Sequence, residues 1–142
     1  MFGVSGGAIM TSLLPAKTDL VSAFAMEGTI FDFNAAATRE VEYQGFPGFL
    51  WQLALVSAQL FHGVNLTETA VSDSIKAAGD RPMLILHGDA DQRLDYQSSL
   101  DFVSYAESVG SDISLETFAG ADHTEGMLSE SDRYAMALAK FF

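Results

Sequence analysis

The run Pro82-Met83-Leu84-Ile85-Leu86-His87 is apolar without alternation and is closed by Gly88. A strand with one face in water alternates apolar and polar residues. An unbroken short run needs cover on both faces, which is the condition of a strand inside a parallel sheet. Leu20-Val21-Ser22-Ala23-Phe24-Ala25-Met26 has the same character and stops at Glu27-Gly28, so it reads as a second buried strand. Ile113 to Phe118 alternates and ends near Gly120, giving a third. Helical patterns lie between these runs. Gly6 to Leu14 reads as a short helix stopped at Pro15. Tyr96, Leu100, Val103 and Ala106 share a helical face, with Asp95 as N-cap and Gly110 as the stop. Ser129-Glu130-Ser131-Asp132 resembles a capping box that opens a last helix, where Tyr134, Leu138 and Phe141 line up. Strands alternating with helices predict an α/β fold with a short, mostly parallel sheet flanked by helices.

Length and composition limit the alternatives. A chain of 142 residues suits one domain, and 49 % hydrophobic residues supply a core, so disorder is excluded as the main state. There is no cysteine, which removes disulfide scaffolds, zinc ribbons and thiol nucleophiles. Seven Lys and Arg against 19 Asp and Glu give a net charge of −12, which repels nucleic acid and anionic membranes. The apolar start has no cation before Lys17 and is broken by glycines, unlike a secretion signal. No apolar stretch approaches the ~20 residues that span a bilayer. A cytoplasmic protein is the expectation, and the Asn65-Leu66-Thr67 sequon carries little weight without a signal.

Residues 29–79 interrupt the alternation. The middle of this stretch, Phe46-Pro47-Gly48-Phe49-Leu50-Trp51-Gln52-Leu53-Ala54-Leu55-Val56, is hydrophobic nearly all round. Such a helix needs a cover, whether core, ligand or second chain.

Gly3-Val4-Ser5-Gly6-Gly7 fits G-x-S-x-G just before a helical pattern. A sharp strand-to-helix turn strains the serine backbone, and flanking glycines leave room for the neighbouring chain. The hydroxyl is then presented at a helix N-terminus, where free N–H groups favour a developing negative charge. A serine nucleophile needs a base, and the base needs an orienting acid. Asp91 follows the strand 83–86 within His87-Gly88-Asp89-Ala90-Asp91, and His123 follows the third strand within Gly120-Ala121-Asp122-His123. All three candidates fall past carboxyl ends of strands, where open parallel sheets place their sites. Asp89 is a rival for the acid. His87, ending an apolar strand, reads as a hydrogen-bonded structural histidine. His62 reads as a surface residue of the insertion and Glu125 as a local or solvated carboxylate. Asp89, Asp91 and Asp95 have the spacing of a calcium loop but lack its turn glycine and distal glutamate, so no metal is expected.

With the order Ser, Asp, His, the chain resembles the carboxyl half of an α/β-hydrolase. The branch is that of the esterases, dienelactone hydrolases and prolyl-oligopeptidase-like enzymes. The matching pieces are Gly3–Gly7, then Arg81-Pro82-Met83-Leu84-Ile85-Leu86-His87-Gly88-Asp89-Ala90-Asp91, then Gly120–His123. The resemblance implies Ser5 as nucleophile, His123 as general base and Asp91 as the residue that holds the imidazole. It implies the Gly6 N–H as one oxyanion donor, no cofactor, and a helical lid-like insertion at about 29–79. Phe46, Phe49, Trp51 and Leu53 would belong to that lid and bind substrate; Trp51 and its aromatic neighbours serve equally well as ordinary packing. By the same resemblance the fold is truncated, lacking the early strands and the loop that gives the second oxyanion donor. One such donor is worth about 100- to 1,000-fold in rate. Two expectations follow. The chain is a minimal serine hydrolase of small uncharged esters, or a weak or inactive fragment that serves in assembly. Either way, an open sheet edge or the apolar insertion helix invites a second copy, as a homodimer.

Overall fold

The structure, a computed structural model, describes residues 1–62 and 70–142, with His62 described by its backbone alone. The sequon at 65–67 and the His62 side chain therefore lie outside the described residues. The described strands are β1 (Phe2–Val4), β2 (Phe24–Glu27), β3 (Met83–Gly88) and β4 (Ile113–Phe118). They form one sheet in the order β1-β2-β3-β4, with every pair parallel. The helices are α1 (Gly6–Leu13), α2 (Phe33–Tyr43), α3 (Phe49–His62), α4 (Val71–Ala78), α5 (Tyr96–Ser108), α6 (Gly126–Ser129) and α7 (Ser131–Phe141).

The unbroken apolar runs are explained by cover on both sides. All residues of β2 and β3 are buried, and alternate side chains enter two separate cores. Phe24, Met26, Met83 and Ile85 pack with Ala8 of α1, Ile75 of α4 and Phe102 of α5 on one face. Ala25, Leu84 and Leu86 pack with Phe118 and Tyr134 on the other, with Leu138 and Phe141 of α7 against them. The sheet is thus sandwiched between helices, and the period-2 geometry of a strand sorts one continuous apolar run into both layers. No described helix is long and apolar enough to cross a membrane.

Several local expectations change. The strand expected from Leu20 begins only at Phe24, and Leu20 is 95 % exposed. The cause is Arg81, whose guanidinium donates to the Pro15, Thr18 and Val21 carbonyls and fixes that segment outside the sheet. The expected capping box does not form. Ser129 ends α6, where its hydroxyl donates to the Gly126 carbonyl, and α7 starts without a side-chain cap. Asp95 does cap α5, accepting from the Gln97 N–H, but the buried face is Ser99, Phe102 and Ala106, with Leu100 exposed. Ser99 is drawn inward by a hydrogen bond to His87 rather than by hydrophobicity. Within residues 29–79, α4 buries Val71, Ser74, Ile75 and Ala78 in the main core, so it is part of the connection from β2 to β3. Among the described residues of this stretch, only α2 and α3 stand off the sheet: α2 buries no residue fully, and α3 leaves Phe49, Leu53, Val56 and Leu60 exposed.

Candidate active site

The site forms where strand ends meet. Ser5 follows β1 and has φ 52° and ψ −118°, a left-handed backbone that costs a non-glycine residue about 1–3 kcal/mol. The turn is held by its neighbours. The Ser5 N–H donates 2.9 Å to the Glu27 carbonyl at the end of β2, and Ile9 N–H donates back to the Ser5 carbonyl. Gly3 is sterically required, because a Cβ there would fall on the Gly7 carbonyl and 2.5 Å from Thr11 Oγ1. A Cβ on Gly7 would meet nothing within 4 Å, so the crowding expected at both glycines exists only at the first.

A second tight approach joins the other two loops. A Cβ on Gly88, the last residue of β3, would strike the Ala121 carbonyl. That proximity brings the loop carrying Asp91 against the loop carrying His123. Ser5 Oγ lies 2.9 Å from His123 Nε2, and His123 Nδ1 lies 2.8 Å from Asp91 Oδ2. The three residues that the sequence placed on separate loops are therefore one hydrogen-bonded chain. Asp91, not its rival Asp89, reaches the imidazole; Asp89 Oδ1 instead accepts the Gly120 N–H. The carboxylates of the imagined calcium loop have separate partners, and Asp95 serves α5.

The Asp91 side chain is completely buried, which by itself would raise its pKa. Hydrogen bonds from His123, His87 and the Leu94 N–H more than offset that burial and hold the carboxyl well below the usual range. Oδ1 accepts from the Arg93 and Leu94 N–H groups, each at 2.8 Å. Oδ2 accepts from His123 and from His87 Nε2 at 3.1 Å. The protein thus stabilises an ionised group where an unpaired charge would be very costly.

A cavity of about 260 Å³ opens beside Ser5, Gly6 and His123. Its apolar wall includes Ile9, Ile30 and Leu94, and α2 closes it with Phe33, Ala36 and Ala37. At its edge Arg93 makes a two-pronged pair with Glu40, at 2.8 and 3.1 Å. Hydrogen bonds from Arg93, then Gln44, hold the Glu40 carboxyl below its ordinary range. Phe46, Phe49, Trp51 and Leu53 do not line this cavity. They lie on α3 and its approach, outside α2; Trp51 packs edge-on against Phe33 and donates to Asn34 Oδ1 at 3.3 Å. A larger cavity, about 450 Å³, lies along another side of α2, between Arg39, Glu42 and Asp95.

Sequence reasoning missed Glu40 and Arg93, whose pairing depends on how α2 docks. It also missed Glu27, a buried carboxylate at the end of β2. Glu27 accepts from the Tyr134 hydroxyl at 2.6 Å and from the Gly126 N–H at 3.3 Å, anchoring the chain beyond His123. Burial, then the Glu27 carboxylate, pushes the Tyr134 hydroxyl pKa upward. An acidic residue closing an apolar strand was the only available signal.

Comparison with known proteins places the fold and the family. No curated protein matches the chain. Among solved structures it is similar to the esterase Pf2001 of Pyrococcus furiosus, with TM-score 0.71 and 15 % identity over 99 % of this chain and 51 % of that one. It is similar to the acylaminoacyl peptidase of Pyrococcus horikoshii, with TM-score 0.72 and 19 % identity over 96 % of this chain and 21 % of that one. A puromycin-hydrolyzing peptidase of Mycobacterium tuberculosis gives TM-score 0.77 and 19 % identity over 99 % and 20 %. The chain spans about half of the first of these proteins and about a fifth of the others. At these identities the likeness establishes the α/β-hydrolase fold. The sequence itself matches the prolyl oligopeptidase family across residues 1–142, and the chain belongs to that family of serine hydrolases.

Proposed function

We propose that the chain cleaves small, uncharged carboxylic esters through an acyl-enzyme on Ser5. The reading is carried by the chain of hydrogen bonds from Ser5 Oγ through His123 to Asp91, at 2.9 and 2.8 Å. Ser5 Oγ attacks the ester carbonyl while its proton passes to His123 Nε2, and Asp91 stabilises the imidazolium through Nδ1–H. The negative charge on the carbonyl oxygen meets the Gly6 N–H at the start of α1. The C–O bond to the alcohol breaks as His123 returns the proton to the leaving oxygen. Water then attacks the acyl group, with His123 again as base, and Ser5 is released. The apolar cavity of about 260 Å³ suits a small acyl or alcohol group.

The test is labelling of Ser5 by a fluorophosphonate together with hydrolysis of short p-nitrophenyl esters. Both should vanish in Ser5→Ala. The rate should rise from acid toward neutral pH, since the base acts deprotonated. A folded wild type that neither labels nor hydrolyses rejects the reading.

A second reading, an assembly domain of weak or no activity, is supported by the exposed apolar face of α3 and the exposed Phe2 and Val4 on the edge strand β1. The partner this surface offers is a second copy of the chain. Light scattering after size exclusion tests it, and a monomer at micromolar concentration rejects it.

A further inference from the structure

Asp91 Oδ2 serves two imidazoles, and the reaction just described uses only one. His87 Nε2 stands 3.1 Å from the oxygen that also accepts from His123. His87 is the penultimate residue of β3 and is 1 % exposed. Its other nitrogen, Nδ1, lies 2.6 Å from Ser99 Oγ, a buried hydroxyl on the inner face of α5. Both ring nitrogens are partnered, as burial requires of any core histidine, and one of the two partners is the oxygen that also accepts from His123.

The donor directions follow from chemistry. An ionised carboxylate only accepts, so His87 Nε2 carries a proton toward Asp91. In the neutral imidazole Nδ1 then carries the lone pair and accepts the Ser99 hydroxyl proton. The chain from Ser99 through His87 to Asp91 therefore runs in one direction and meets the chain from Ser5 through His123 at a single oxygen. With Arg93 and Leu94 N–H groups on Oδ1, the carboxylate has a partner in each of its hydrogen-bonding directions and is prevented from turning.

We propose that His87, oriented by Ser99, is a positioning residue for the reaction at Ser5. Its Nε2–H fixes the Asp91 carboxylate and draws off part of its charge, which sets the pH at which His123 can act as base. This inference rests on the proposed hydrolase reading. His87 touches no substrate, so its effect falls on kcat rather than KM. Removing its donor leaves the full carboxylate charge to His123, favours the imidazolium, and moves the acid limb of the rate to higher pH. The other groups around this arrangement are Tyr96 of α5, with its ring 5.6 Å from His87, Glu40 and Arg93 at the cavity, and Asp122, which accepts the His123 N–H. The variants below alter none of these residues.

The experiment compares wild type with His87→Gln and with the double variant H87L/S99A. Gln offers an amide N–H near the position of Nε2, whereas the double variant removes the donor and leaves no buried hydroxyl unpartnered. The His123 imidazole is titrated by ¹H–¹⁵N NMR, which requires no turnover, and kcat and KM are followed against pH with p-nitrophenyl butyrate. In the double variant we expect the His123 titration to rise by about half to one pH unit. A fall in kcat of about ten- to a hundredfold should accompany it, with KM nearly unchanged. His87→Gln should keep the wild-type profile. A folded double variant with an unchanged His123 titration overturns the proposal, as does a Gln variant that behaves like the double variant. If the double variant does not fold, Ser99→Ala carries the test: a smaller shift in the same direction supports the proposal, and a wild-type titration overturns it. A shifted titration in a protein that does not hydrolyse esters rejects the hydrolase reading while leaving the positioning geometry intact. Normal hydrolysis with no shift rejects the positioning role alone.

Discussion

Replacing Asp91 by Asn and by Ala separates its role in chemistry from its role in folding. In Asp91→Asn, the side-chain oxygen can keep the Arg93 and Leu94 N–H groups, each now at 2.8 Å from Oδ1. The amide nitrogen then replaces the oxygen that accepts from both imidazoles. Its two protons need two lone pairs, so both histidines must change tautomer. His87 can do so at little cost, donating from Nδ1 to Ser99 Oγ. His123 would then carry its proton on Nε2, aimed at Ser5, and could not accept the serine's proton. Forcing that tautomer on the base of a serine hydrolase costs about 10⁴ in kcat, or about 5.5 kcal/mol. Stability should fall by no more than about 1.5 kcal/mol, the scale of exchanging a charged for a neutral hydrogen bond. Asp91→Ala instead leaves the Arg93, Leu94, His87 and His123 donors without their acceptor. At about 1 kcal/mol for each buried donor, the low end of the usual range, the loss is about 3–4 kcal/mol. For a chain of this size that lowers Tm by about 10–15 °C. Thermal unfolding by calorimetry, beside ester hydrolysis and fluorophosphonate labelling, reads both quantities. Asn destabilising as much as Ala would refute the tautomer exchange, and Asn retaining a tenth of wild-type activity would refute the catalytic assignment.

Other perturbations test the frame around the site. Gly3→Ala should destabilise the fold by about 1–3 kcal/mol through overpacking against Gly7 and Thr11, whereas Gly7→Ala should be neutral or slightly stabilising; chemical denaturation should show this order and not its reverse. Tyr134→Phe leaves the buried Glu27 carboxylate with the Gly126 N–H alone, so a loss of about 1.5–3 kcal/mol is expected; a change under about 0.5 kcal/mol would show that the 2.6 Å bond adds little. Because the folded Asp91 pKa is depressed, its contribution is present above the ordinary aspartate value of about 3.9 and is lost as pH falls below it. Unfolding free energy should therefore drop more steeply below about pH 4 in wild type than in Asp91→Asn, and parallel curves would contradict this.

The sequence alone determined the layers and which strand ends carry Ser5, Asp91 and His123. Uninterrupted apolar runs at β2 and β3 require cover on both faces, and placing Ser5, Asp91 and His123 just after strands in a parallel sheet puts them at one end. Those inferences hold because strand periodicity and strand direction are local properties of the chain. Contacts between distant residues decided the rest. Arg81 denied strand geometry to Leu20 by taking carbonyls from a segment about 60 residues away. His87 turned Ser99 inward and rotated the buried face of α5 away from Leu100. Packing of α2 built the cavity beside Ser5 from Ala36, Ala37 and Phe33, while the more conspicuous aromatic residues Phe46 and Phe49 stayed on the surface. A hydrogen-bond partner or a cavity wall is chosen by three-dimensional proximity, and no period or spacing along the chain encodes it. For that reason the sequence could name the members of the Ser5–His123–Asp91 chain, but only the tertiary structure shows that Asp91 also holds a second histidine.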